Sequence, residues 1–140
     1  MAPLSSATKT TATALGAKLV DAIARHDFTG IAELLHPDVE FRALTPRKIW
    51  EPATREDAVE VLRTWFGDFD IHDVLGVDTT EMAGRNHVSY RYRGERPEGR
   101  FVIEQQAYYD ETDGQISWIR ILCSGYRPAI TDPRPNAASK

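Results

Sequence analysis

"YYDETDGQISWIRIL", residues 108–122, contains the end of one strand, a turn and the start of the next. Asp113-Gly114 is a hairpin dipeptide, suited to the tight connection between antiparallel strands. Beyond it the residues alternate, and the set carrying Ser117, Ile119 and Ile121 ends on Cys123, the only cysteine. A period of two places that set on one face of a strand. What this face looks onto decides the chemistry.

Upstream, residues 71–82, 87–93 and 100–109 also read as strands, and 115–124 is the last of them. The breaks "AGRN", "GERPEG" and "DETDG" are short and turn-rich, so the four form an antiparallel meander. Before the meander, "VEFRAL" alternates Val39, Phe41 and Ala43 against Glu40 and Arg42, a half-buried strand. Leu15, Leu19, Ala22 and Ile23 recur at helical spacing from Thr13 to His26. Asp27 caps a short helix carrying Ile31, Leu34 and Leu35, stopped at Pro37. Thr54 caps a third, with Val59, Leu62, Trp65 and Phe66 on one stripe and Gly67 at its end. Helices segregated from an antiparallel sheet define an α+β fold.

The 140 residues are enough for one core. The expected organisation is a flexible arm over 1–12, a domain over 13–127 and a flexible tail over 128–140. Seventeen basic against 21 acidic residues give a mildly negative chain, which argues against nucleic acid as a partner. The run "YRYRGERPEGR" interleaves aromatics with arginines, but Glu95, Glu98 and the acidic balance oppose that reading. One cysteine forms no internal disulfide. His26, His36, His72 and His87 are too scattered for a zinc site, so no metal is expected and a cytoplasmic location fits. No apolar run approaches a membrane span, and the opening residues lack the apolar block of a secretory signal.

Alternation also defines the other sheet face: Arg91, Arg93, Glu104, Gln106, Tyr108, Trp118, Arg120 and Leu122. Aromatics beside paired charges suit a homodimer interface. The alternative is a solvated face whose Arg and Glu residues pair across strands.

The order of elements, with "LVDAIARHDFTGIAELLHPDVEF" leading and "YYDETDGQISWIRIL" closing, resembles the nuclear transport factor 2-like superfamily, in particular its SnoaL-like branch. The resemblance spans residues 13 to 125 and implies a cystatin-like roll, a curved antiparallel sheet wrapped around N-terminal helices as a cone. Its open end would admit a small apolar ligand. Ser117, Ile119, Ile121 and Cys123 would then face inward with Val88, Tyr90, Tyr92, Phe101, Ile103, Gln105, Ala107 and Tyr109, joined by Leu19 and Ile23 from the first helix. That is an apolar pocket with a few polar tips. A register shifted by one would instead turn His87, Ser89, Arg91 and Glu104 inward and charge the interior.

Relatives' chemistries can be set against these positions. In ketosteroid isomerases a carboxylate base works with an oxyanion hole of a tyrosine and a protonated aspartic acid. The resemblance places the tyrosine at Leu19, the base at Ala43 and the acid at Gln105, so only a hydrogen-bond donor survives. The Asp-Arg-Asp set of limonene-type epoxide hydrolases falls on Val88, Tyr90 and Ile121. Dehydratases of the scytalone type use tyrosines and histidines; Tyr90, Tyr92 and Tyr109 could supply hydroxyls.

The candidate catalytic residues are therefore Tyr90 and Gln105, with Asp70 and His72 as a possible acid-base couple at the mouth. Each has a plainer reading: a structural hydrogen bond for Tyr90 and a solvated edge for "DFDIHD". Trp50 and Trp65 lid or floor the cavity, or Trp65 is core. Cys123 is a nucleophile or a small buried apolar residue. The function expected is isomerisation, cyclisation or dehydration of an apolar oxygenated small molecule without cofactor. The alternative is a ligand-binding or dimerisation module with no chemistry.

Overall fold

The computed structural model describes the backbone of residues 2–129 and the side chains of residues 12–129. Helix α1 spans Ala2–Ala24, α2 Phe28–Leu34 and α3 Arg55–Phe66; the strands are β1 Leu35–Thr45, β2 Lys48–Trp50, β3 Asp70–Met82, β4 Arg85–Arg96, β5 Gly99–Thr112, β6 Gln115–Cys123 and β7 Arg127–Pro128. The expected meander is β3 to β6. α1 begins well ahead of Thr13, and its last turn ends before His26, whose φ is +55°. The tail expected from 128 lies outside the described residues beyond 129.

The caps act as read. Asp27 Oδ1 accepts the Gly30 N–H at 2.9 Å, and Thr54 Oγ1 accepts the Asp57 N–H at 3.0 Å. Pro37 does not end α2. The helix stops at Leu34 and Pro37 lies inside β1, where the pairing with β6 jumps from Leu35 to Glu40. A proline has no N–H to give a ladder, so it sits where the ladder breaks.

The sheet runs β2-β1-β6-β5-β4-β3, with β7 paired to β5. It is not wholly antiparallel. β1 lies parallel to β6, closing the meander back onto the first strand, whereas the other pairs are antiparallel. Bulges break the register of β3 around His72 and Leu75 and of β6 around Ser117. Each adds local twist, which curves the sheet around the helices as an unclosed cone.

The bulge in β6 overturns one inward assignment. Asp110 pairs with Trp118 and Glu111 with Ile116, so Ser117 is the extra residue; its hydroxyl lies 2.8 Å from that of Thr112. Ile116, not Ser117, is buried beside Ile119. Elsewhere the alternation holds. Val88, Tyr90, Tyr92, Ile103, Gln105, Ala107, Tyr109, Ile119, Ile121 and Cys123 are buried against the helices, and the charged alternative register is not adopted.

Two tyrosines tie the sheet to α1. Tyr92 donates to the Val20 carbonyl at 2.6 Å. The Tyr109 hydroxyl accepts the Gly16 N–H at 2.8 Å and donates to the Ala12 carbonyl at 2.7 Å, inserting into the helix ladder between two groups that would otherwise bond each other. Gly16 makes room for it: a Cβ there would stand 2.9 Å from that oxygen and 3.0 Å from Val88 Cβ.

Candidate functional site

Three neighbouring strands bring Tyr90, Gln105 and Cys123 into one row. Tyr90 pairs with Gln105, and Gln105 with Cys123, all facing the helices. Tyr90 donates to Gln105 Oε1 at 2.6 Å. Gln105 Nε2 is then buried without a partner, and so is Trp65 Nε1 at the end of α3. Asn86 Oδ1 is a third such atom among the described residues; buried polar groups are nearly always bonded, so each asks for an explanation. A phenol can also accept, so turning the amide over would expose Oε1 instead; either way one group of Gln105 is unpaired. Trp65 Nε1 can only donate.

The row is neutral. Burial, and secondarily Cys123, pushes the Tyr90 phenol far above its ordinary range; burial, then Tyr90 and Asp21, does the same to Tyr92. Asn86 and Gln105 are the only fully buried polar or charged side chains among the described residues. Carboxylates and imidazoles are thus missing from the described interior, which can donate hydrogen bonds to an oxygen but cannot take up a proton.

The surroundings grade from closed to slightly open. Tyr92, Tyr109, Val88 and Ile119 are fully inaccessible, whereas Cys123 and Trp65 retain 7% exposure each. Cys123 and Trp65 are thus the parts of these surroundings that still touch solvent. There the Trp50 ring meets Trp65 edge-on at 5.8 Å, and its Nε1 donates to Thr45 Oγ1 at 3.0 Å. Phe41 packs on the other side of Trp65 at 6.3 Å.

Several expected site residues are placed otherwise. Leu19, Ile23, Val88, Ile103, Ile119 and Ile121 lie in the same buried cluster as Tyr90, Trp65 and Cys123, whereas the hydroxyls of Tyr92 and Tyr109 are committed to α1. His72 and Asp70 stand apart from Tyr90. His72 sits at a bulge of β3, its Nε2 3.4 Å from Glu95 and 3.7 Å from Asp70, all exposed on the outer face, while Tyr90 pairs with Val77 further along the strand. Cys123 Sγ accepts the Gly125 N–H at 3.3 Å.

Open space lies away from this row. A surface cleft of about 700 Å³ between the two tight hairpins is lined by Glu81, Arg85, Asn86, Asp110 and Glu111. It is broad and shallow, with Ala12, Met82 and Ala83 beside those polar groups, and we place the candidate site at the buried donors instead. Sequence reasoning missed Tyr126, whose hydroxyl donates to the Trp65 carbonyl over the open side. An aromatic after the "CSG" turn is the only signal it leaves.

The outer face shows cross-strand pairing. Arg91 bonds Glu104, Arg93 lies 3.1 Å from Asp73, and Arg85 holds both oxygens of Asp110 at 3.0 Å. The guanidinium groups of Arg85 and Arg120 stack on Trp118 at 3.9 and 4.2 Å. Beside them Ile49, Leu44 and Leu122 form an exposed apolar row across β2, β1 and β6.

Residues 17–119 match the family model of the SnoaL-like domain. Among solved structures, a Jannaschia sp. CCS1 protein named for the SnoaL-like polyketide cyclases is 20% identical, with 81% of this chain and 85% of that chain covered and a TM-score of 0.63. A Bacillus subtilis protein named as an isomerase is 12% identical, covering 82% and 87% at a TM-score of 0.68. An LEH-like epoxide hydrolase of M. tuberculosis is 13% identical, covering 82% and 84% at 0.62. At these identities the likeness is one of fold. No curated protein matches the chain.

Proposed function

The chain belongs to the SnoaL-like domain family, and we propose that within it this protein takes up an apolar, oxygen-bearing small molecule at the Tyr90, Gln105 and Trp65 end of the cone. The observation that carries the reading is the pair of unpartnered buried donors, Gln105 Nε2 and Trp65 Nε1, in an interior lined mostly by apolar side chains. Both are answered by one kind of group, an acceptor oxygen on a hydrophobic body. Cofactor-free isomerisation, cyclisation or dehydration is the second reading. It is favoured by the Tyr90 to Gln105 couple and by the names of the cyclase, isomerase and epoxide hydrolase relatives. On these residues it would act by polarising the bound oxygen and not by abstracting a proton. The exposed row of Ile49, Leu44 and Leu122 supports a homodimer through the outer face, and the single cysteine suits a cytoplasmic setting.

Calorimetric titration with a bicyclic ketone and with its parent hydrocarbon tests the binding. The ketone should bind more tightly, and Gln105→Leu should erase the difference. Equal affinity of the two ligands for the unaltered protein would sink the proposal. Native mass spectrometry on the same sample reads the dimer: a monomer would remove the outer-face interface.

A further inference from the structure

We infer that residues 124–128 are a strap that gates the Gln105 and Trp65 row, with Tyr126 as its latch. What passes beneath the strap rests on the binding proposed above; the strap's opening does not.

The segment is held at its ends by backbone bonds and in the middle chiefly by one side chain, Tyr126. At one end the Ser124 N–H donates to the Glu104 carbonyl at 2.9 Å, and Ser124 Oγ accepts the Glu104 N–H at 2.9 Å. At the other, β7 pairs with Phe101 and Val102 of β5, and the Ala129 N–H reaches the Arg100 carbonyl at 3.0 Å. Between them the Gly125 N–H donates to the Cys123 thiol, a weak acceptor, at 3.3 Å, and the Gly125 carbonyl accepts the neighbouring Ser124 hydroxyl at 2.8 Å. Tyr126 supplies the remaining hold. Its ring lies edge-on to Phe69 at 4.9 Å and Phe101 at 5.9 Å, under the Arg96 guanidinium at 4.4 Å. Its hydroxyl caps the Trp65 carbonyl in the last turn of α3, one of the acceptors a helix end leaves open.

Gly125 fits the strap to its seat. Its φ is +77°, and a Cβ there would stand 2.7 Å from Pro46 Cγ in the turn between β1 and β2. The strap thus lies across the side on which Cys123 and Trp65 keep their residual exposure. Withdrawing the single Tyr126 side chain from Phe69, Phe101, Arg96 and the Trp65 carbonyl, with Gly125 leaving Pro46, uncovers that side without breaking the ladders of β3 to β6. A short segment whose middle depends on one side chain between firm anchors can open locally, ahead of global unfolding.

Cys123, the only cysteine, lies at the strap's base and reports its opening without any ligand. The full chain is alkylated with iodoacetamide under native conditions and followed by intact mass, alongside Tyr126→Phe and Gly125→Ala. Tyr126→Phe keeps the ring and removes the hydroxyl's bonds to the Trp65 carbonyl and the Arg96 side chain, and should raise the labelling rate at least about tenfold, the factor one net hydrogen bond supports. Gly125→Ala should also raise it. In both, the rate should stay flat across low urea concentrations, as local opening requires. Wild-type labelling rates in both variants would overturn the strap. So would rates that climb steeply with urea, because the thiol would then be reached only through global unfolding. A protein that labels as expected but binds no ketone would retain the strap and lose the binding proposal.

Discussion

If Tyr90 and Gln105 are kept for a ligand, removing both should not harm the free protein. Unliganded, the pair makes one hydrogen bond and leaves one buried amide group unsatisfied. A net hydrogen bond contributes about 1 kcal/mol, and a buried orphan costs about 1–3 kcal/mol. Tyr90→Phe strips the amide of its only partner and leaves two orphan groups, a loss of about 1–3 kcal/mol. Gln105→Leu, of similar volume, removes the orphan amide and strands the phenol, so it should be close to neutral. The double variant contains no polar group in the row and should match or exceed the wild type, by about 1 kcal/mol. The cycle is therefore strongly non-additive, with a coupling of order 2 kcal/mol. Urea unfolding followed by tryptophan fluorescence gives all four corners. A double variant destabilised by the sum of the two singles would refute the reasoning, since additivity would mean that the two side chains are not coupled in the free protein.

Other outcomes follow from the ties between sheet and helix. Gly16→Ala improves helix propensity by roughly 1 kcal/mol, yet its Cβ would press on Tyr109 and Val88. Net destabilisation of about 1–2 kcal/mol is expected, relieved in part by adding Tyr109→Phe and read from urea midpoints. The buried phenols set the alkaline limit. Tyr90 and Tyr92 have folded pKa values raised above the ordinary 10.0, so their contribution is fully present below pH 10 and is lost as pH rises from there toward the folded values. Above that point stability should fall by about 1.4 kcal/mol per pH unit for each such tyrosine. Tyr90→Phe should make the fall shallower between pH 10 and 11.5, whereas an unchanged slope would mean the phenol is not buried in the native state.

Much of this molecule is readable from local pattern. A period of two along β4, β5 and β6 names the inward set because it records which face meets water. Asp27, Thr54 and Gly67 mark helix boundaries through side-chain or backbone chemistry confined to a few residues. Local pattern fails where one strand's geometry answers to another. Ser117 loses its inward place because β6 must bulge against β5, and His72 is set on the outer face at a bulge of β3.

The sequence by itself determined the fold class and, Ser117 apart, the inward faces that carry Tyr90, Gln105 and Cys123, because alternation and turn chemistry are short-range. Only the tertiary structure decided which polar tips are free. Tyr92 and Tyr109 look like ligand donors in a strand pattern, but their hydroxyls meet the backbone of a helix 72 and 97 residues away. Gln105 reads as a hydrogen-bond donor and Trp65 as core, and both carry unpaired groups, as does Asn86, which the strand pattern does not single out. A hydrogen bond's partner is set by what lies within about 3 Å in space, and the order of residues along the chain does not contain that distance until the sheet has closed around the helix.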